Sequence, residues 1–221
     1  RIEIIMEEHG ENKFKIGLLV SNESIREQYY DMISKLSNKI TFIIVYSHCD
    51  YRSYVRPRLS RWQIIVKKLD DIFWAKYIKF ETSRTKAQFG RLNVSDLGLQ
   101  RVDITGRFSK SKLAVRYEKS DIETVQKENF DLLLRINAPG IFKGDILNAS
   151  RLGILSMHHG DNRWNRGVPA GFWEVYYGKA ESGYIFQILS EVLDGGRVIY
   201  RGAVATASYY TTNYFNLFSN S

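Results

Sequence analysis

Two short apolar runs, residues 15–20 (KIGLLV) and 40–46 (ITFIIVY), flank one amphipathic segment, and this arrangement constrains the fold more than any other feature. Continuous runs rich in β-branched and aromatic residues mark strands covered on both faces. Between them Ile25, Tyr29, Met32, Ile33 and Leu36 recur at three- and four-residue intervals, as on one face of a helix. Ser21-Asn22-Glu23-Ser24 supplies a helix cap just before it. Strand, helix, strand in about thirty residues is a βαβ unit, which builds parallel sheets through right-handed crossovers.

The rest of the chain extends that pattern. Trp62, Ile65, Val66, Leu69, Ile72, Phe73, Tyr77 and Phe80 predict a long amphipathic helix, preceded by a basic loop carrying Arg52, Arg56, Arg58 and Arg61. That loop reads either as an anion-binding edge or as a solvated basic turn. Residues 81–110 show no period and read as an irregular insertion. A strand at 113–117, a helix opened by a Ser120-x-x-Glu123 capping box and a near-continuous apolar strand at 131–136 follow. Pro139-Gly140 ends that strand, 142–152 reads as a short helix, and 153–157 (GILSM) as a further strand. After a short aromatic helix within 167–178, residues 184–189 and 197–205 predict an antiparallel pair turned at Gly195-Gly196. The predicted fold is a doubly wound, mostly parallel α/β sheet closed by a C-terminal antiparallel hairpin, as one domain over residues 1–221. A short aromatic tail at about 206–221, including YYTTNYFNLF, reads as a packing or interface segment.

Composition narrows the class. Of 221 residues, 44% are hydrophobic and 25% charged, which excludes a disordered chain. No apolar run approaches the roughly 20 residues of a membrane-spanning helix. A single cysteine, Cys49, permits no internal disulfide, and the expected setting is cytoplasmic. The chain opens on Arg1 and a charged stretch, which reads as a trimmed fragment rather than a signal peptide. A net charge of +8 suits nucleic acid, nucleotides, nucleotide-sugars, folates or coenzyme A as partners, and serves solubility equally well.

Eleven of the sixteen glycines fall within 140–202, on what should be the carboxyl ends and loops of the sheet, where open α/β sheets bind ligands. His158 and His159 directly follow the 153–157 strand and open a polar loop, His-His-Gly-Asp-Asn-Arg. With an ordinary pKa near 6.5, a histidine there is placed either for acid–base work or as a hydrogen-bonded structural residue. Adjacent strand residues point to opposite faces, so His158 and His159 do not share a metal ion with Asp161, and no metal is expected. Asp194, before Gly195-Gly196, is a turn signal and a candidate site carboxylate. Glycine-rich phosphate loops and a nucleophile elbow are absent from the sequence.

Taken jointly, the 131–136 strand, Gly153-Ile154-Leu155-Ser156-Met157-His158, Arg166-Gly167, Pro169, Gly178, Gly183 and Leu193-Asp194-Gly195-Gly196 resemble the catalytic domain of the folate-dependent formyltransferases. That family includes methionyl-tRNA formyltransferase, glycinamide ribonucleotide formyltransferase and the sugar N-formyltransferases. The resemblance covers about residues 131–205, and more loosely 15–46. Arg166-Gly167-Val168-Pro169 is closer to the methionyl-tRNA and sugar branches than to the purine branch. The family's Asn-x-His falls on Ser156-Met157-His158, with serine in the asparagine position, and its aspartate on Asp194, 36 residues beyond His158.

The resemblance implies formyl transfer from 10-formyltetrahydrofolate to an amine. His158 would be the acid/base and oxyanion partner, Asp194 its orienter and Ser156 a substitute oxyanion donor. Asn137, Ala138, Pro139, Gly140 and Ile141 would contact the pterin, or form a plain strand-to-helix turn. His159, Asn162 and Arg166 would meet the acceptor. The polar loop Gly160-Asp161-Asn162-Arg163, where the family commonly has a hydrophobic turn, suits a polar acceptor such as a nucleotide-linked aminosugar. Two alternatives stand beside it: a methionyl-tRNA formyltransferase-like enzyme, and a catalytically weak binding module of a larger protein. The implied partners are a small-molecule amine, tRNA being disfavoured, with a homodimer or further domains attached.

Overall fold

The computed structural model describes residues 13–52, 54, 58–85, 90–164, 169–193 and 195–221. In chain order they form β1 (Phe14–Val20), β2 (Ser24–Arg26), α1 (Glu27–Leu36), β3 (Ile40–Asp50), α2 (Arg61–Thr85), β4 (Arg91–Asn93), β5 (Arg101–Phe108) and β6 (Ala114–Arg116). There follow α3 (Lys119–Lys127), β7 (Leu132–Arg135), β8 (Ile141–Phe142), β9 (Ile154–His158), α4 (Phe172–Tyr176), β10 (Glu181–Ile188), β11 (Arg197–Ala205) and α5 (Tyr210–Ser219). One sheet runs β11-β10-β9-β7-β1-β3-β5-β6-β8, and β2 and β4 form a separate two-stranded ribbon. The central pairs β3–β1, β1–β7, β7–β9 and β3–β5 are all parallel, and β5–β6 is antiparallel. Antiparallel strands close the sheet at the carboxyl end, giving the doubly wound, mostly parallel α/β fold that the sequence predicts.

The chain forms two compact units. The first comprises Arg1–Tyr54, Gly90–Met157 and Phe186–Ile199, the second Val55–Phe89, His158–Ile185 and Tyr200–Ser221. In the first unit, successive residues of a strand point to opposite faces, and two apolar layers result. Leu19, Ile43, Val45 and Leu133 pack with Ile122 and Val125 of α3. Leu18, Val20, Phe42 and Ile44 pack with Ile25 and with Ile33 of α1. Gly17 faces the first layer, where a Cβ would stand 2.5 Å from Leu133 Cδ2, so a larger residue there would require that side chain to shift.

Several local expectations are corrected. Helix α1 begins at Glu27 rather than Ile25, because Ser24–Arg26 pairs antiparallel with Arg91–Asn93. Residues 81–110 are not an irregular insertion. They hold the end of α2, strand β4, a 3-10 turn at Val94–Leu97 and β5, which lies parallel to β3 over Ile44–Asp50. β5 alternates charged and apolar residues, with Ile104, Gly106 and Phe108 buried, which is the period-two pattern of a half-buried strand rather than a continuous apolar run. The Ser120 capping box is not used: Glu118 is the N-cap of α3, without a side-chain bond. Residues 142–152 form no α-helix, since Ile141 and Phe142 pair with β6 and a 3-10 turn follows at Asp145–Asn148.

In the second unit α2 packs through few groups. Trp74 meets Phe172 and Tyr210, and the Tyr77 hydroxyl donates to Glu81 Oε1. Glu81 Oε2 accepts the Thr211 N–H at 2.7 Å. The apolar residues that carry the helical period, Trp62, Ile65, Val66, Leu69, Ile72, Phe73 and Phe80, are exposed rather than core. The aromatic tail folds as α5, and Asn213 on it is fully buried. Asn213 Nδ2 donates to the Gly171 carbonyl and to Ser182 Oγ, both at 2.8 Å, and its Oδ1 accepts the Ala207 N–H at 3.1 Å. Among the described residues no helix is long and apolar enough to cross a membrane.

Asn213→Ala leaves the buried Gly171 carbonyl and the half-buried Ala207 N–H without their side-chain partner. It should destabilise the chain by about 2–3 kcal/mol in urea denaturation, whereas a loss under about 0.5 kcal/mol would show that the network is not a fixed part of the unit.

Candidate active site

The carboxyl ends of β7 and β9 carry the first group of residues. The register places Arg135 beside Ser156 and Leu134 beside Leu155. Ser156 is buried, and its hydroxyl makes one long contact, to the Met157 carbonyl at 3.5 Å. Side chains alternate along a strand, so Ser156 and His158 lie on the same face of β9.

Arg135 is half-buried. Its Nε donates to the Ala138 carbonyl at 2.7 Å, and its guanidinium lies 5.3 Å from the centre of the Phe142 ring. Burial lowers its pKa, and among the described residues no carboxylate pairs with it. Tyr117 is buried with its hydroxyl 2.8 Å from Ser47 Oγ, and burial is the main reason its pKa is pushed up to about 12.

The turn after β7 is held tightly. Asn137 Oδ1 accepts the Ser21 N–H at 2.8 Å, and its Nδ2 donates to the Asn22 carbonyl at 2.9 Å, so the side chain ties this turn to the loop after β1. Ala138 is buried. Gly140 has φ +87°, and a Cβ there would lie 2.7 Å from Phe108 Cε1, so the backbone after Pro139 takes a path closed to other residues. Ile141 donates its N–H to the Leu113 carbonyl at 2.7 Å as β8 begins. The segment is therefore a strand-to-strand turn, not the strand-to-helix turn that the sequence offered as one reading.

In the second unit, His158 ends β9 half-buried, and its Nε2 is buried without a hydrogen-bond partner among the described residues. His159 stacks on Phe218 of α5, with ring centres 3.4 Å apart and planes 19° from parallel. The following loop is pinned by charge. Asp161 accepts from the Arg163 guanidinium and N–H and, at 2.9 Å, from Arg201 Nη1, which also donates to Asn162 Oδ1 at 3.0 Å. The hydrogen bonds from Arg163 are the main reason the Asp161 carboxyl is held down to about 2. Arg166 and Asp194 lie outside the described residues.

The structure thus brings Ser156 beside Arg135 and Asn162 beside Arg201. Arg135, Arg201 and Glu174 carry chemistry that the sequence reading missed. Arg135 was legible as a charge inside an otherwise apolar strand. Glu174 was legible as the one acid in the aromatic segment FWEVY. Arg201 gave no signal, because its partner Asp161 stands 40 residues away. No group of three or more His, Cys, Asp or Glu among the described residues could hold a metal ion.

No protein-family model matches the chain, and no curated protein matches its sequence. Solved structures do match its fold. Glycinamide ribonucleotide transformylase 1 from Symbiobacterium toebii aligns over 96% of this chain and 86% of its own, with TM-score 0.55 and 14% identity. Phosphoribosylglycinamide formyltransferase from Brucella melitensis aligns over 95% and 90%, with TM-score 0.56 and 9% identity. The enzyme of that name from Campylobacter jejuni aligns over 94% and 92%, with TM-score 0.54 and 16% identity. The chain therefore shares the fold of these formyltransferases. At such identity the likeness is one of fold and does not select a branch.

The Asp161 pin has a defined pH dependence. A carboxyl held at about 2 against an ordinary 3.8 stabilises the folded loop above about pH 4, and this contribution is lost as pH falls toward 2. An NMR titration of the Asp161 side-chain carbon should give a midpoint near 2, moving up toward 3.8 in Arg163→Ala; a midpoint at 3.8 in the parent would contradict the pin.

Proposed function

We propose that the chain transfers a formyl group from 10-formyltetrahydrofolate to a primary amine, carried on a nucleotide-linked sugar. One observation carries the reading: in a sheet of formyltransferase fold, the strand that ends at the carboxyl edge ends in His158, whose Nε2 is buried with no partner among the described residues. A buried polar atom without a hydrogen bond is costly, and such atoms concentrate where a ligand completes them.

The residues at the edge fit an anionic, aromatic donor. Arg135 is a cation in dry surroundings with no carboxylate beside it, which suits a carboxylate-bearing ligand. When bound, the donor supplies a formyl carbon on nitrogen: a new C–N bond forms to the acceptor as the old one breaks, tetrahydrofolate leaves, and one proton passes from the amine to the leaving nitrogen. His158 Nε2 holds the developing negative charge on oxygen and carries that proton. Asp194 orients the imidazole. Ser156, on the same face of β9, is the second donor, though its hydroxyl now reaches toward the Met157 carbonyl.

That last contact favours a second reading, in which the site binds its ligands and turns over slowly. Loss of one oxyanion donor typically costs about 100- to 1000-fold in rate.

Calorimetric titration with 5-formyltetrahydrofolate, a stable stand-in for the donor, tests the proposal. The parent should bind at about micromolar Kd, Arg135→Ala at least tenfold more weakly, and His158→Ala within a few-fold of the parent. With 10-formyltetrahydrofolate and an amine, turnover should fall at least a hundredfold in His158→Ala and Asp194→Ala, and rise tenfold or more in Ser156→Asn. A folded parent that binds no donor overturns the proposal. Donor binding with both His158→Ala and Ser156→Asn silent in turnover selects the binding module instead.

A further inference from the structure

Helix α2, in the second unit, leaves a long apolar surface uncovered. Every residue from 61 to 73 is exposed, so about its first three and a half turns stand in solvent. Trp62 is 76% exposed and Phe73 70%; Leu69 and Val66 are more than half exposed, and Ile65, Ile72 and Phe80 about half. At about 100° per residue, these seven side chains fall in one stripe roughly 120° wide, centred on Leu69.

The face of α2 that packs within its unit is a different one. Trp74, against Phe172 and Tyr210, and Glu81, against the Thr211 N–H, lie about 120–140° round the helix from Leu69. Helices in proteins gain most of their stability by covering an apolar face, and monomers rarely leave a contiguous patch of this size open. Seven side chains so exposed offer on the order of 800 Å², which is what each partner contributes to an interface of standard size.

We propose that two copies of the chain pair through this stripe, α2 against α2 and antiparallel, about a two-fold axis at Leu69. A two-fold interface must complement itself, and the apolar positions run evenly to either side of Leu69. Val66 and Ile72 stand three residues away, and Ile65 and Phe73 four, so each pair meets across the axis. Lys76 sets the direction. It is exposed and lies inside the stripe, about 20° round the helix from Leu69. A parallel pair in register sets Lys76 against Lys76. The antiparallel pair sets it against Trp62, which is likewise seven residues from Leu69, and an ammonium over an indole face is attractive. A single polar residue in an apolar seam fixes register in this way. The pairing is independent of the formyl-transfer reading.

Sedimentation equilibrium on the whole chain tests it. The parent should have twice the mass of one chain, with a Kd of about micromolar or tighter. Leu69→Asp sets two carboxylates together at the axis and should weaken pairing at least about a hundredfold, leaving the circular dichroism of the fold unchanged because the site is exposed. Orientation is read by oxidative crosslinking in a Cys49→Ser background. Chains carrying Trp62→Cys should crosslink to chains carrying Lys76→Cys, and neither to its own kind. That crosslink also decides the matter should Leu69→Asp fail to fold. A monomeric parent, including one whose α2 instead binds lipid vesicles, overturns the inference. So does a dimer that survives Leu69→Asp, or one in which Trp62→Cys crosslinks only to itself.

Discussion

The structure depends on one constraint, that β1 and the middle of its neighbour β3 are dry on both faces. Leu18, Leu19 and Val20 have no measurable exposure, and Val45 and Leu133 likewise have none. Each such side chain contributes about 1.5–3 kcal/mol of burial, but only if helices cover both sides of the sheet. That demand makes the connections crossovers and the strands parallel, so the strands end along a common edge. The loops leaving β1, β7 and β9 at that edge are free to differ in sequence while the sheet beneath them is not.

Against that apolar background, three ionisable side chains are conspicuous for what they lack. Arg135 has no carboxylate beside it, and His158 and Glu174 each keep a buried atom without a hydrogen bond among the described residues. Several other buried polar groups are answered, Asn213 by three partners, Glu81 by Tyr77 and Thr211, and Tyr117 by Ser47, whereas Gln187 Oε1 and Ser219 Oγ are buried without a hydrogen bond among the described residues. Stability alone favours apolar residues of similar size over buried, unpaired charges.

The fold was largely legible because burial on both faces writes itself as continuous apolar runs, seen in β1 and β3. Strand β5 has no such run: Arg101, Asp103 and Arg107 alternate with apolar residues, the weaker period-two signal of a strand buried on one face. Helix α2 misled in the opposite sense, since period alone does not say which stripe of a helix finds a neighbour. For the site, the position of His158 at a strand end was readable from Gly153 onward. The anchoring role of Asn137 was not readable, because its bonds to Ser21 and Asn22 join segments 116 and 115 residues apart. Glu174 gave the simplest local signal, an acid in an aromatic helix, but a sequence does not show whether such an acid faces water.

The central claim is that the carboxyl edge formed by β7 and β9 is where the donor binds. Hydrogen–deuterium exchange with and without 5-formyltetrahydrofolate tests it most directly. The account predicts new protection confined to about residues 135–142 and 154–162, with the helices α1 and α3 unchanged. Protection at other segments, or none at a saturating concentration, would contradict it.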